Sequence, residues 1–583
     1  MKHLTYSASL LLLASTATHV FADDWHHEKK HHHYSGAELN QPCETLSSSI
    51  YLANTEFTGS TSFAAGELAV PGQQIPAHCQ LTGKMHERIS SFDGQTYAIG
   101  FEMRLPKQWN GRFFYQANGG IDGNVNTALG SGGGGGPLVS ALQKGFAVIS
   151  SDAGHTAAQN PFFGVDPQAR LDYGYQAVGK LTPMAKAVIE QVYGKKPRYS
   201  YIGGCSNGGR HTMVAAARYP DQYDGFLVGS PGFDLPQAAV ANIYGAQQYA
   251  QLADFSGPGL PDLSAAYTMQ ERRMVADAVL AKCDALDGLA DGIINQVDQC
   301  QQTFNLETDV PSCSAERDGS CLTDQQKSIV GNILAGAVTS DGQPIYQSFP
   351  VDAGIATGSF EFWDFFAPLV LDSGSVGFVM STPPLDPATF NPVGFALGSD
   401  IDALANSIYA SNDIYTESGM EFMTPPDAEN MRWLKKSGGK MIVYHGVSDQ
   451  IFSINDTKRW FQQVNRGNRK DHENHKGHKE HHHRKHGASD FARLYQVPGM
   501  GHCSGGPATD QFDMLTPLMR WVEHGKAPQE IVATARGLDN PGGSNNDLPS
   551  DWSADRSRLL CPYPKVAVYR KGDQESASSF RCR

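Results

Sequence analysis

The chain is short of positive charge. Its 46 Lys and Arg face 60 Asp and Glu, a formal net charge of −14 over 583 residues. That balance argues against nucleic acid as a partner, because phosphate binding needs a clustered basic surface. Long apolar runs are missing as well. A membrane span needs about 20 consecutive apolar residues, and no segment supplies them. The stretch centred on Leu10 to Leu13 is shorter, follows Lys2 and precedes Val20-Phe21-Ala22, a small-residue end suited to cleavage. Residues 1–22 therefore read as a secretory signal peptide, and the product as secreted or periplasmic. The glycine run Gly132 to Gly136 has no Gly-Lys-Ser/Thr after it. This excludes a phosphate loop and leaves a flexible loop at the rim of a site. Nor is the cysteine count odd. Ten, an even number, in an oxidising compartment favour disulfides over zinc.

What is present centres on Gly204-Cys205-Ser206-Asn207-Gly208, a G-x-S-x-G turn after the apolar run Tyr199-Ser200-Tyr201-Ile202. In α/β-hydrolases this turn is a nucleophile elbow, followed in the chain by an acid and then a histidine; elsewhere it is a helix-entry turn. Lys440 to Asp449 reads as a buried-strand pattern that runs into a glycine-containing turn and ends on an acid, Asp449, where open α/β sheets carry catalytic residues. Of 21 histidines, twelve fall in two solvated tracts, and His3 and His19 belong to the leader. His502 follows Asp449 and a strand-like run over 491–497. His524 closes a helix, where it satisfies the last carbonyls. Cys205 and Cys503 adjoin Ser206 and His502. A disulfide between them would bring the two Cα atoms within about 4.4–6.8 Å and set the base beside the hydroxyl.

Together Cys205-Ser206, Asp449 and His502-Cys503 resemble the CS-D-HC arrangement of the tannase/feruloyl esterase family, whose members include mono(2-hydroxyethyl) terephthalate hydrolases. The likeness runs from about Cys43 to Cys582. It implies an α/β-hydrolase core with a large inserted lid domain. It also implies the pairs Cys43–Cys79, Cys205–Cys503, Cys283–Cys300, Cys313–Cys321 and Cys561–Cys582. The expected order is a signal peptide (1–22), a His-rich disordered segment (23–42), a first core segment (43–232), the lid (233–436) and a second core segment (437–583). The second core segment carries a His-rich insertion at 470–486, read as solvated, with weak metal binding as its functional alternative.

Three carboxylates crowd Asp284-Ala285-Leu286-Asp287-Gly288-Leu289-Ala290-Asp291-Gly292. The spacing is not that of an EF-hand, and a solvated acidic turn is the plain reading. Oxygen ligands at such density suit Ca²⁺, and the family likeness implies a structural calcium held by the carboxylates of Asp284, Asp287 and Asp291 and the carbonyls of Leu289 and Ile293.

The chemistry expected is acyl transfer: Ser206 as nucleophile, His502 as base, Asp449 orienting it. Asn207 would supply one oxyanion N–H. Gly119 would supply the other, with Gly120 as second choice, from Gln116-Ala117-Asn118-Gly119-Gly120. The family implies small esters of aromatic acids, feruloyl or galloyl, as substrates. Phe452 resembles a ring of the acyl pocket, with plain core packing as the other reading. A terephthalate half-ester needs a cation for its free carboxylate, and arginine is absent from 360–431, which favours a neutral aromatic ester. A non-catalytic secreted metal-binding protein on a decayed hydrolase scaffold is the alternative from another class.

Overall fold

In the computed structural model the described residues are 36–257, 259–314, 316–474 and 487–583. The expected leader and the tract His26–His33 lie outside them, as does 475–486 of the His-rich insertion.

Nine strands make one sheet. They are β1 (Thr55–Phe63), β2 (His78–Ile89), β3 (Thr96–Pro106), β4 (Arg112–Gln116), β5 (Ala147–Ser151), β6 (Tyr199–Cys205), β7 (Gly225–Gly229), β8 (Lys440–Gly446) and β9 (Ala492–Val497). Their order across the sheet is β9-β8-β7-β6-β4-β5-β3-β2-β1. The first three strands form an antiparallel meander, joined antiparallel to β5. From β5 to β9 every neighbouring pair is parallel. A parallel sheet must be covered on both faces, and alternation along the strands provides for it. Phe113, Tyr115, Ile149, Ile202 and Val443 enter one core, whereas Phe114, Val148, Tyr201, Ile442 and Tyr444 enter the opposite one.

Helices cross between the strands. α1 (Ala177–Tyr193) ends at Gly194, whose φ of 67° closes the last turn in the left-handed region. α2 (Asn207–Arg218) leaves β6 directly. Between Gly229 and Lys440 no strand occurs among the described residues. This stretch holds α3 (Leu235–Ala250), α4 (Met269–Cys283) and shorter helices, and 246–397 gathers a hydrophobic cluster of its own. α4 starts on a capping box, in which Thr268 and Glu271 satisfy each other's backbone N–H. After β8 come α5 (Ile454–Asn474) and, past β9, α6 (Leu515–His524).

Three expectations change. Residues 36–42 do not belong to a disordered segment: Ala37–Glu38 pairs antiparallel with Gln108–Trp109, and Asn40 N–H donates to Val192 O. Residues 470–474 of the expected insertion continue α5 as helix. The glycine run at 132–136 is packed, not a loose rim. A Cβ on Gly134 would stand 2.7 Å from Asp510 O, and one on Gly136 2.3 Å from Gly542 O. Gly135 N–H donates to Asp510 O at 2.7 Å. Side chains are absent there because backbone meets backbone.

Candidate functional site

Ser206 stands at the sharp step from β6 into α2, with φ 65° and ψ −129°. This is the left-handed half of φ, which costs a non-glycine residue of order 1–3 kcal/mol. The flanking glycines make the step possible. A Cβ on Gly204 would lie 2.2 Å from Ala117 O, and one on Gly208 2.3 Å from the same oxygen. The loop after β4 thus rests directly on the turn. Gly119 faces it, since a Cβ there would approach Cys205 O at 3.4 Å and the Ser206 side chain at 3.6 Å.

β8 ends in the loop of Asp449, and β9 in the loop of His502. Parallel register sets these two loops at the same edge as Ser206. His502 Nε2 is 2.8 Å from Ser206 Oγ, and its Nδ1 is 2.8 Å from Asp449 Oδ2. The Ser206 hydroxyl donates to Nε2 when Nδ1–H donates to the carboxylate. Asp449 is buried. Its Oδ1 accepts the N–H groups of Ile451 and Phe452 at 3.1 and 3.0 Å, and His445 Nε2 approaches Oδ2 at 3.3 Å. Burial alone would raise this carboxyl; the imidazole of His502 and the hydrogen bonds from His445 and His502 outweigh it and hold it well below the usual carboxylate range. An acid that stays ionised beside an imidazole, with a hydroxyl on the ring's far side, is an arrangement that can activate an oxygen nucleophile.

All ten cysteines pair, in the five combinations that the family likeness implied. The Cys205–Cys503 bridge, with Cα atoms 6.1 Å apart, joins the loops of Ser206 and His502. Two aromatic rings flank His502 edge to face: Phe452 at 5.3 Å between centroids and Trp363 at 4.9 Å. Phe452 is buried and packs on Gly232, so it is core and site wall at once.

The sequence reading missed Trp363, His445 and a polar network beneath the site. The first lies in Phe360-Glu361-Phe362-Trp363-Asp364-Phe365-Phe366, an aromatic run dense enough to have been noticed. His445 had no signal beyond its place in a strand. In the network, Asn207 Nδ2 donates to Asp122 Oδ2 at 2.8 Å and His211 Nε2 lies 2.8 Å from the same oxygen. Arg210 Nε donates to Asn207 Oδ1 at 2.5 Å. Burial, followed by the Arg210 charge, holds the His211 imidazole well below its ordinary value.

The acidic loop at 284–292 is partly buried. Asp287 is pushed up to about 6, chiefly by burial, and Asp284 is raised for the same reason. Asp284 Oδ1 is buried without a partner. Those features suit a hard divalent cation. Asp291 is pledged elsewhere, to Arg558, and Asn295 Nδ2 donates to Asp287 Oδ2 at 2.5 Å. No three Asp, Glu, His or Cys groups converge as metal ligands among the described residues. Asp284 and Asp287 therefore fit the expected ion better than Asp291 does.

Comparison with known proteins adds family context. The family model described as "Tannase and feruloyl esterase" matches residues 79–583. The mono(2-hydroxyethyl) terephthalate hydrolase of Piscinibacter sakaiensis is 35% identical over 545 residues, covering 87% of this chain and 85% of that protein. A probable feruloyl esterase B-1 of Aspergillus fumigatus is 26% identical, covering 94% of this chain and 96% of its own length. In fold, the chain resembles the crystal structure of feruloyl esterase B from Aspergillus oryzae, with a TM-score of 0.68 at 23% identity over 93% of this chain and 99% of that one. It also resembles the tannin acyl hydrolase of Aspergillus niger, at 0.66 and 20%, over 94% and 96%.

Proposed function

The chain belongs to the tannase and feruloyl esterase family of carboxylic ester hydrolases, and on that premise we propose that it cleaves esters of aromatic acids through a Ser206-His502-Asp449 triad and an acyl-enzyme. The observation that carries this is the hydrogen-bonded chain from Ser206 Oγ through His502 to Asp449. Ser206 Oγ attacks the ester carbonyl and gives its proton to His502 Nε2. Asp449 stabilises the imidazolium through Nδ1. The tetrahedral oxyanion accepts the N–H groups of Asn207 and Gly119. Collapse expels the alcohol, protonated by His502, and water repeats the sequence on the acyl-enzyme. Membership in an enzyme family, together with this geometry, speaks against a decayed scaffold that only binds metal.

An aromatic acyl group is supported by Trp363 and Phe452, whose rings both contact His502. A neutral one is supported by charge: from Ser328 to Met431 the chain has no Lys, Arg or His. The helical stretch over 233–436, which contains Trp363, acts as the lid. A terephthalate half-ester is the second reading, favoured by the name and 35% identity of the Piscinibacter sakaiensis relative. A panel of methyl ferulate, methyl gallate and mono(2-hydroxyethyl) terephthalate decides between them. One of the two neutral esters is expected to lead in kcat/KM by at least about tenfold, a difference of about 1.4 kcal/mol in transition-state binding. A lead for the half-ester refutes the neutral preference.

We further propose export, on the leader-like N-terminus and the five disulfides. We also propose a structural calcium at Asp284 and Asp287 with the carbonyls of Leu289 and Ile293, with no part in the chemical step.

A further inference from the structure

We propose that Asp122 and His211 are positioning residues that hold the two halves of the oxyanion hole in register. This rests on the acyl-transfer reading of Ser206. The hole needs two N–H groups aimed at one point, and the fold draws them from separate pieces of chain: Gly119 from the loop after β4, Asn207 from the first turn of α2. Neither N–H donates to a carbonyl among the described residues. Close packing of Gly204 and Gly208 on Ala117 sets how near the loop approaches the turn. It does not set how the loop is rotated, and the direction of a backbone N–H depends on that rotation.

A buried polar link supplies the missing restraint. Asp122 lies three residues past Gly119, at a φ of 54°. Its Oδ2 accepts from the side chain of Asn207 at 2.8 Å and from His211 Nε2 at 2.8 Å. One carboxylate oxygen of the loop is thereby tied to two residues a helical turn apart on α2. Arg210 fixes the other end of the Asn207 amide and is itself held by the carbonyls of Gly174 at 2.9 Å and Tyr173 at 3.1 Å. Nε2–H donates to Asp122 Oδ2, which leaves Nδ1 as the ring's acceptor, and Arg210 Nη2 lies 3.2 Å from both ring nitrogens. On the loop side, His155 Nε2 reaches Ile121 O at 2.9 Å. Asp122, Asn207, Arg210, His211 and His155 are all buried. Burying this many polar groups is costly unless they are paired, and the hydrogen bonds of Asp122, Asn207, Arg210 and His211 join the two pieces of backbone that must act together on the oxyanion.

The link acts through the hole, so its loss is felt in the transition state and not in substrate binding. Removing one oxyanion donor costs on the order of 10²–10³ in kcat, and displacing a group by about 1 Å costs on the order of 10². Asp122→Asn, which replaces one carboxyl oxygen of the link by an amide NH2, is expected to lower kcat by about 10- to 100-fold with KM within about twofold. The Ki of an aryl trifluoromethyl ketone, which forms a tetrahedral adduct, is expected to rise by the same factor. Asn207→Ala keeps the backbone donor and removes only the amide that Asp122 holds. It is expected to show the same split, and the double variant should lose little more than either single one. A merely structural role would lower the melting temperature and leave kcat per folded molecule unchanged.

A folded Asp122→Asn enzyme with kcat within threefold of the parent, or with the loss confined to KM, overturns the proposal. If Asp122→Asn does not fold, Asn207→Ala decides by the same criterion. Ser206→Ala in the same assay separates the layers: turnover retained there overturns the triad and this inference together, whereas turnover lost there but kept in Asp122→Asn overturns this inference alone.

Discussion

Removing the Cys205–Cys503 bridge is expected to cost activity before it costs the fold. The bridge closes a separation of 298 residues. In the chain-entropy model that corresponds to an upper value of about 5–6 kcal/mol, against about 3.3 kcal/mol for Cys561–Cys582, which closes 21. Stability alone would thus rank the two pairs without distinguishing their roles. Local geometry separates them. Ser206 at φ 65° and Cys503 at φ 64° are both non-glycine residues in the left-handed region, and the disulfide ties the segments that carry this strain. Released, the two loops can relax, and the 2.8 Å contact between Ser206 Oγ and His502 Nε2 lengthens. A displacement of about 1 Å lowers the rate by roughly a hundredfold. The double variant Cys205→Ala/Cys503→Ala, assayed for kcat/KM well below its melting temperature and normalised to folded protein by circular dichroism, should show a loss of that order. Cys561→Ala/Cys582→Ala should melt earlier with kcat/KM within about twofold of the parent. If both variants lose activity only in proportion to their unfolded fraction, the bridge is a staple and its place beside the triad has no catalytic meaning.

Asp449→Asn should leave His502 in the wrong tautomer and lower kcat by up to about 10⁴; a loss under tenfold in steady-state turnover would move the acid elsewhere. Exhaustive calcium chelation should lower the melting temperature more than it changes kcat at 25 °C, because an ion that binds only the folded chain stabilises it by mass action. An unchanged melting curve would remove the ion from Asp284 and Asp287. Asp372 is buried with Asn242 as its hydrogen-bond partner, and burial pushes its carboxyl up to about 8. Its folded pKa lies above the unfolded value near 4. The folded state therefore holds the extra proton, and stability falls as pH rises from about 4 through about 8. Asp372→Asn should flatten the decline in melting temperature between pH 5 and pH 8; an unaltered decline would assign that pH dependence to other groups.

Most of the parallel half of the sheet was legible because its strands are short apolar runs. A strand stands before Asp449, at Lys440–Gly446, as the sequence suggested, and β9 differs by one residue at its start. β1 and β2 were missed. Thr55–Phe63 is half exposed and rich in Ser, Thr and Gly, so its pairing comes from the neighbour it finds and not from its own pattern. Ser206, Asp449 and His502 could be named because chain order and flanking cysteines constrain them. The places of the residues around them could not be read, even where, as at Trp363, the run that carries the residue stands out. Asp122, His211 and Trp363 come from a loop, a helix and the insertion, and only the folded chain brings each to the catalytic edge. The glycine run misled for a related reason: glycine marks close backbone approach as readily as flexibility, and Asp510 and Gly542 lie far along the chain.

The central claim is that Ser206 carries the acyl group. Rapid acid quench during turnover of methyl ferulate, followed by mass spectrometry of the Ser206 peptide, tests it directly. A feruloyl adduct on Ser206, absent from Ser206→Ala and enriched in Asp449→Asn if that change slows deacylation more than acylation, is the expected result. Full turnover with no adduct on Ser206, or an adduct on another residue, would contradict it.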